Sequence, residues 1–167
     1  MSRQWLALLV WCAAGATVCA AEPTEVAFYR GIDLNGSAVV IDGYQWTGDD
    51  TATNFVCKDK AFQNQDFVVI PPTDPERARM IRSSRYGGNE SNVRLTEVPT
   101  GRYSVFLYVW EDNNPETFDI GVNGRDVVKG YRTGSKGEWE RLGPWVVDVA
   151  KGEIHVQARG GAANFSG

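Results

Sequence analysis

Gly101-Arg102-Tyr103-Ser104-Val105-Phe106-Leu107-Tyr108-Val109-Trp110-Glu111 is the stretch whose reading decides the fold. From Tyr103 to Trp110 both odd and even positions are apolar, so a strand here needs cover on both faces. Pro99-Thr100-Gly101 supplies a turn before it, and the polar run Glu111-Asp112-Asn113-Asn114-Pro115 ends it. Working outward, Val93 and Leu95 point one way while Arg94 and Thr96 point the other. Phe118, Ile120 and Val122 alternate with Asp119 and Gly121. Asn123-Gly124 is a hairpin signal leading into Val127-Val128. Trp145 to Val149 and Ile154 to Arg159 read as the last two strands, with Ile154, Val156 and Ala158 facing inward.

Upstream, Ala38 to Asp42 reads as a short strand closed by Asp42-Gly43, and Phe55-Val56-Cys57 and Phe67 to Ile70 are short apolar runs. No heptad or sustained 3.6-residue period occurs. One short helix is predicted, over 75–81, because Asp74-Pro75-Glu76-Arg77 is an N-cap followed by Pro at the first helical position. Many short strands bounded by Gly, Asn or Pro predict an all-β antiparallel sandwich in a single domain.

Composition narrows the function classes. The 167 residues carry 17 Lys+Arg against 21 Asp+Glu, a formal charge of −4, which argues against nucleic acid or an anionic membrane surface as partner. His155 is the single histidine, which leaves little material for His-based catalysis or a His-rich metal site. Six Trp, six Tyr and seven Phe among 18 Gly fit a turn-rich β protein with rings to spare.

Residues 1–21 read as a secretory signal peptide: Arg3, an apolar run from Trp5 to Cys12, then small residues through Ala21. The domain then spans 22–167 and is secreted or periplasmic, with no membrane attachment after cleavage. Cys12 and Cys19 leave with the signal, so Cys57 remains alone and no intramolecular disulfide forms. Asn35, Asn89 and Asn164 begin N-x-S/T triplets that matter only in a eukaryotic secretory pathway.

Three segments have the chemistry of a saccharide site, where flat rings cover the C–H face of a sugar and polar side chains bind its hydroxyls. They are Trp110-Glu111-Asp112, Arg85-Tyr86 before Gly87-Gly88, and Tyr44-Gln45-Trp46. Each has a plain packing alternative: a solvated hairpin connection, a core-edge Tyr with Arg85 stacked on it, and a buried Trp at a strand start. Trp139 and Trp145, flanking Leu142-Gly143-Pro144, read as packing residues. Asp49-Asp50 and Glu111-Asp112 are adjacent acids with no catalytic spacing, so no enzyme, cofactor or metal is expected. Asp112-Asn113-Asn114 could hold Ca²⁺, but meets no spacing rule.

Residues 101–111, Phe118-Asp119-Ile120-Gly121-Val122-Asn123-Gly124 with Val127-Val128, and Asn164-Phe165-Ser166-Gly167 resemble the malectin and malectin-like domain signature. Arg30-Gly31-Ile32-Asp33-Leu34-Asn35-Gly36 followed by Ile41-Asp42-Gly43 is similar to the opening of those domains. The resemblance implies a galactose-binding-like jelly roll with a non-catalytic, carbohydrate-binding role. Tyr86 falls where malectin has a sugar-contacting Tyr. The loop after Glu111 lacks malectin's aromatic pair, for which Trp110 would substitute, and malectin's ligand-binding acid lies beyond a final strand that follows Gly167. A missing strand and a fragment of a longer, multidomain protein both stay open.

The expectation is therefore an exported module binding a neutral glycan or polysaccharide through Tyr86, Arg85, Trp110, Glu111 and Asp112, with Tyr44 and Trp46 as lesser members. A structural or adhesive interaction module without sugar binding is the alternative, and a small hydrolase needs two facing acids in a deep cleft.

Overall fold

The computed structural model describes residues 27–167, and the signal reading at 1–21 lies outside them. Two five-stranded sheets and one three-stranded sheet form the molecule. The strands are β1 (Ile32–Asp33), β2 (Val39–Ile41), β3 (Tyr44–Gly48), β4 (Phe55–Cys57), β5 (Lys60–Gln63), β6 (Ser83–Tyr86) and β7 (Glu90–Thr96). There follow β8 (Gly101–Trp110), β9 (Thr117–Val122), β10 (Arg125–Arg132), β11 (Trp139–Val149), β12 (Glu153–Arg159) and β13 (Asn164–Phe165). The single helix, α1, spans Pro75–Ile81, with Asp74 Oδ1 accepting from the Arg77 N–H at 2.9 Å as its cap.

One sheet runs β10-β9-β12-β7-β4 and faces the other, β11-β8-β13-β6-β5, across an aliphatic core that includes Leu107, Val109, Phe118, Ile120, Val122, Val156 and Phe165. The predicted all-β sandwich is the fold. Period-2 alternation is what builds it: β12 buries Ile154, Val156 and Ala158 and turns His155, Gln157 and Arg159 toward the surface. Asn123 and Gly124, at φ 49° and 77°, make the predicted turn between β9 and β10.

The cover on the second face of β8 comes from elsewhere in the chain. Val39 and Ile41 of β2, with Ala78, Met80 and Ile81 of α1, pack on Tyr108 and Trp110 and form a second apolar cluster outside the sandwich. β11 begins at Trp139, six residues before the predicted strand start at Trp145. Its register on β8 shifts between Leu142 and Trp145, where Gly143-Pro144 interrupts the alternation. The run Phe67 to Ile70 forms no strand beyond a bridge from Ile70 to Glu138.

Candidate functional site

β6, β13 and β8 are neighbours, and their ends bring two of the predicted residues, Tyr86 and Asp112, to one rim. Tyr86 sits opposite Asn164, and Phe165 opposite Val109. Side chains alternate along β6, so Ser83 and Arg85 face the sandwich interior while Ser84 and Tyr86 face away from it. Tyr86 is half-buried, with the Lys60 ammonium 6.0 Å from its ring centre. Asn164 donates from Nδ2 to Asp112 Oδ1 at 2.6 Å, which ties the loop after β8 to β13. Tyr86, Lys60 and Asp112 thus offer one ring, one cation and one carboxylate at one edge, with the buried Asn164 amide bracing the carboxylate.

The other five predicted members do not reach this rim. Trp110 is 1% exposed; Phe62 stacks on it at 6.0 Å and Phe67 meets it edge-on at 5.4 Å. Its ring is core, because the second face of β8 is roofed by α1 and β2, and it has no free face for a ligand. Glu111 is 2% exposed, and its carboxylate accepts from the Asn113 N–H at 2.8 Å and the Thr133 hydroxyl at 2.6 Å. It shapes the 111–114 loop from beneath and contacts nothing outside the protein.

Arg85 turns inward. Its Nε–H meets Asp49 Oδ2 at 2.7 Å and its Nη1 reaches the Asp59 carbonyl at 3.3 Å. The Asp49 carboxylate holds the guanidinium firmly protonated, and its own side chain is only 2% exposed. Arg85 is therefore a strut beneath the rim. Close by, Asp33 is fully buried, with neither carboxylate oxygen hydrogen-bonded; burial pushes its carboxyl up to about 7 against the opposing pull of Arg79, 3.9 Å away. Asp33 and Asp49 are both closed off from solvent.

Tyr44 and Trp46 lie elsewhere. Phe28 stacks on Tyr44 at 4.5 Å and faces Trp46 at 6.4 Å, and Tyr108 meets Trp46 edge-on at 5.9 Å. Gly31 runs directly under the Trp46 indole, where any Cβ would lie 2.2 Å from the ring. These rings wall a cleft of about 960 Å³ that none of Arg85, Tyr86, Trp110, Glu111 or Asp112 lines. Phe28 was missed in the sequence because a single Phe before a turn carries no signal, and Asn164 because two-residue β13 has no period to read. Trp139 and Trp145 pack as expected, the first stacked on Tyr108 at 5.9 Å.

Among the described residues no three His, Cys, Asp or Glu side chains cluster as a metal site, and no helix is long and apolar enough to cross a membrane. No protein-family model matches the chain, and no curated protein does. Solved structures do. The ANXUR2 extracellular domain from Arabidopsis thaliana matches with a TM-score of 0.63 and 14% identity, over 83% of this chain and 46% of that one. A plant receptor-like kinase, ANX2, gives 0.63 and 15%, over 81% and 45%. Bacteroides uniformis β-glucuronidase gives 0.59 and 17%, over 75% of this chain and 15% of that one. The chain thus spans about half the length of the plant structures and a small part of the glucuronidase. The malectin-like β-sandwich expected from the sequence is the fold that the chain shares with the plant extracellular domains.

Proposed function

We propose that the protein is an exported, non-catalytic binding module that holds a neutral glycan at the rim formed by Tyr86, Lys60, Asn164 and Asp112. The observation that carries this reading is the partly exposed Tyr86 side chain beside the Asp112–Asn164 pair, a flat apolar face with a hydroxyl-binding carboxylate at its edge. The likeness to extracellular domains supports an exported role, in which the chain works as one unit of a longer protein. Hydrolysis finds no support, because two carboxyl groups must face each other across an accessible gap. Asp33 and Asp49 are sealed, Glu111 is spent on the 111–114 loop, and Asp42, the acid lining the large cleft, pairs with Arg77.

Affinity electrophoresis through gels containing laminarin, galactan or xylan tests the reading. Retardation by one of them, abolished in Tyr86→Ala, is the expected result; unretarded migration of the folded protein in all three overturns it. A protein-interaction role is the second reading, favoured by the burial of Trp110 and Glu111, which leaves Tyr86 as the rim's one predicted ring.

A further inference from the structure

Asp33 ends β1 with a side chain wholly out of water, and its two carboxylate oxygens meet no donor. Such a group is tolerated as the neutral acid and disfavoured as the anion. The carboxyl rests on the backbone of the turn that follows, since a Cβ on Gly36 would lie 2.0 Å from its Oδ1. Two elements bring charge toward it. From α1, Arg79 Nη1 stands 3.9 Å from Oδ2, but that guanidinium is already engaged by Ser37 Oγ at 2.9 Å, the Ala38 carbonyl at 3.2 Å and Glu76 at 3.7 Å. From the segment after β3 comes Asp49, a like charge that Arg85 neutralises, with the exposed Asp50 next to it. Every charged group in this arrangement lies between residues 33 and 85.

The turn that houses this carboxyl also holds the strands of the rim. Asn35, at φ 61°, donates from Nδ2 to the Phe62 carbonyl on β5 at 3.0 Å, and its own carbonyl accepts from Ser83 Oγ on β6 at 3.0 Å. Its N–H donates to Asp49 Oδ2 at 2.8 Å, the oxygen that also takes the Arg85 Nε–H. The Asp33 carbonyl accepts from the Gly36 N–H at 3.3 Å and the Asp49 N–H at 3.1 Å. β5 is the edge strand of its sheet, and it pairs with β6 so that Lys60 lies opposite Tyr86. Two side chains of the rim therefore stand on strands that the 33–36 turn braces from beneath.

We propose that Asp33 is a proton switch for the rim: with its proton bound the 33–36 turn is seated and braces β5 and β6, and loss of the proton unseats the turn and loosens Lys60 and Tyr86. As a regulation of glycan binding, this rests on the reading of that rim as the glycan site. The anion requires donors. Those within reach are Arg79, which must leave Ser37 and Ala38, and water, which must enter beside Gly36; either movement displaces Asn35. Burial pushes the carboxyl up to about 7, against the pull of Arg79 and with the push of Asp49, so the change falls near neutrality. The rim is braced on the acid side and loosened on the alkaline side. Coupling of this kind is reciprocal, so a bound glycan raises the pH at which Asp33 loses its proton.

Carbon-13 carboxyl shifts and amide hydrogen exchange on the full chain, without glycan, test the switch between pH 5.5 and pH 8. With the intrinsic base dependence divided out, protection of the β5 and β6 amides is expected to fall about tenfold or more, at the midpoint where the Asp33 carboxyl titrates. Protection of β10, the edge strand of the other sheet, is expected to stay level, as is that of β5 and β6 in Asp33→Asn. Level protection of β5 and β6 in the parent, an equal fall in β10, an equal fall in Asp33→Asn, or a midpoint away from the Asp33 titration each overturns the proposal. Should Asp33→Asn not fold, the parent's two midpoints and β10 decide. In whichever of the laminarin, galactan or xylan gels retards the protein, retardation is expected to be stronger at pH 5.5 than at pH 8 for the parent and equal for Asp33→Asn. Equal retardation of the parent at both values overturns the switch and leaves the glycan reading standing, whereas no retardation at either value removes the glycan reading and leaves the exchange result to decide the switch.

Discussion

Arg85 and Asp49 meet at 2.7 Å, Nε–H to Oδ2, across 36 residues of chain, and this contact locks the end of β6 to the segment after β3. The Asp49 side chain is 2% exposed and that of Arg85 25% exposed, so each removes most of the other's desolvation penalty. Removing the cation leaves a sealed carboxylate with one backbone donor, Asn35 N–H at 2.8 Å. Arg85→Leu is expected to destabilise the protein by about 3 kcal/mol. Arg85→Lys, which keeps the charge but loses the planar donor set, should lose roughly half as much. Urea unfolding curves of both variants check the order.

Tyr86 and Trp110 make opposite predictions. Tyr86→Ala is expected to abolish retardation in the glycan gels while lowering stability by no more than about 1.5 kcal/mol, because its side chain is only partly buried. Trp110→Ala opens a cavity among Phe62, Phe67 and α1, and should cost about 3–5 kcal/mol. Trp110→Phe keeps most of the packing and is expected to leave glycan retardation unaltered. A folded Trp110→Phe protein with no retardation would place the indole in contact with ligand after all.

Asp33 predicts a pH dependence. Its carboxyl sits near 7 in the folded chain against an ordinary value of 3.8, because burial disfavours the charged form. Between those two values the folded state holds the proton that the unfolded state has lost. Stability contributed by this group is therefore fully present below about 4 and is lost as pH rises to about 7, with no further change above. Asp33→Asn has no such titration. The gap in melting temperature between variant and parent is expected to widen in the variant's favour from pH 4 to pH 7 and then stay level. A constant gap across that range rules out the buried carboxyl as its source.

Cys57 is the free thiol of the described chain, half-buried on β4, and burial pushes it up to about 11. At pH 8 almost none of it is thiolate, so it should react with Ellman's reagent at least about tenfold more slowly in the folded protein than in urea. Equal rates would mean that β4, an edge strand, is open in solution.

Most of the sandwich was legible as alternation. Val93 with Leu95, Phe118 with Ile120 and Val122, and Ile154 with Val156 each gave a strand whose buried face is the one predicted. Legibility fails where the alternation breaks or is too short. The Gly143-Pro144 interruption hid the first half of β11, β13 is two residues long, and the three-stranded β1-β3-β2 sheet pairs β1 with β3 in parallel, which no turn signal announces.

The candidate site was less legible, and Trp110 shows why. The apolar run from Tyr103 to Trp110 predicts that β8 is covered on both faces, and this holds from Leu107 to Trp110, whereas Ser104 and Phe106 are exposed. It could not name the cover, because α1 and β2 reach Trp110 from 29 or more residues away and only the folded chain brings them there. The same holds for the acids and for Arg85: residue type gave the chemistry each could perform. Only the tertiary structure decided which of them faces water, because burial is a property of neighbours brought together by folding, and local sequence does not record it.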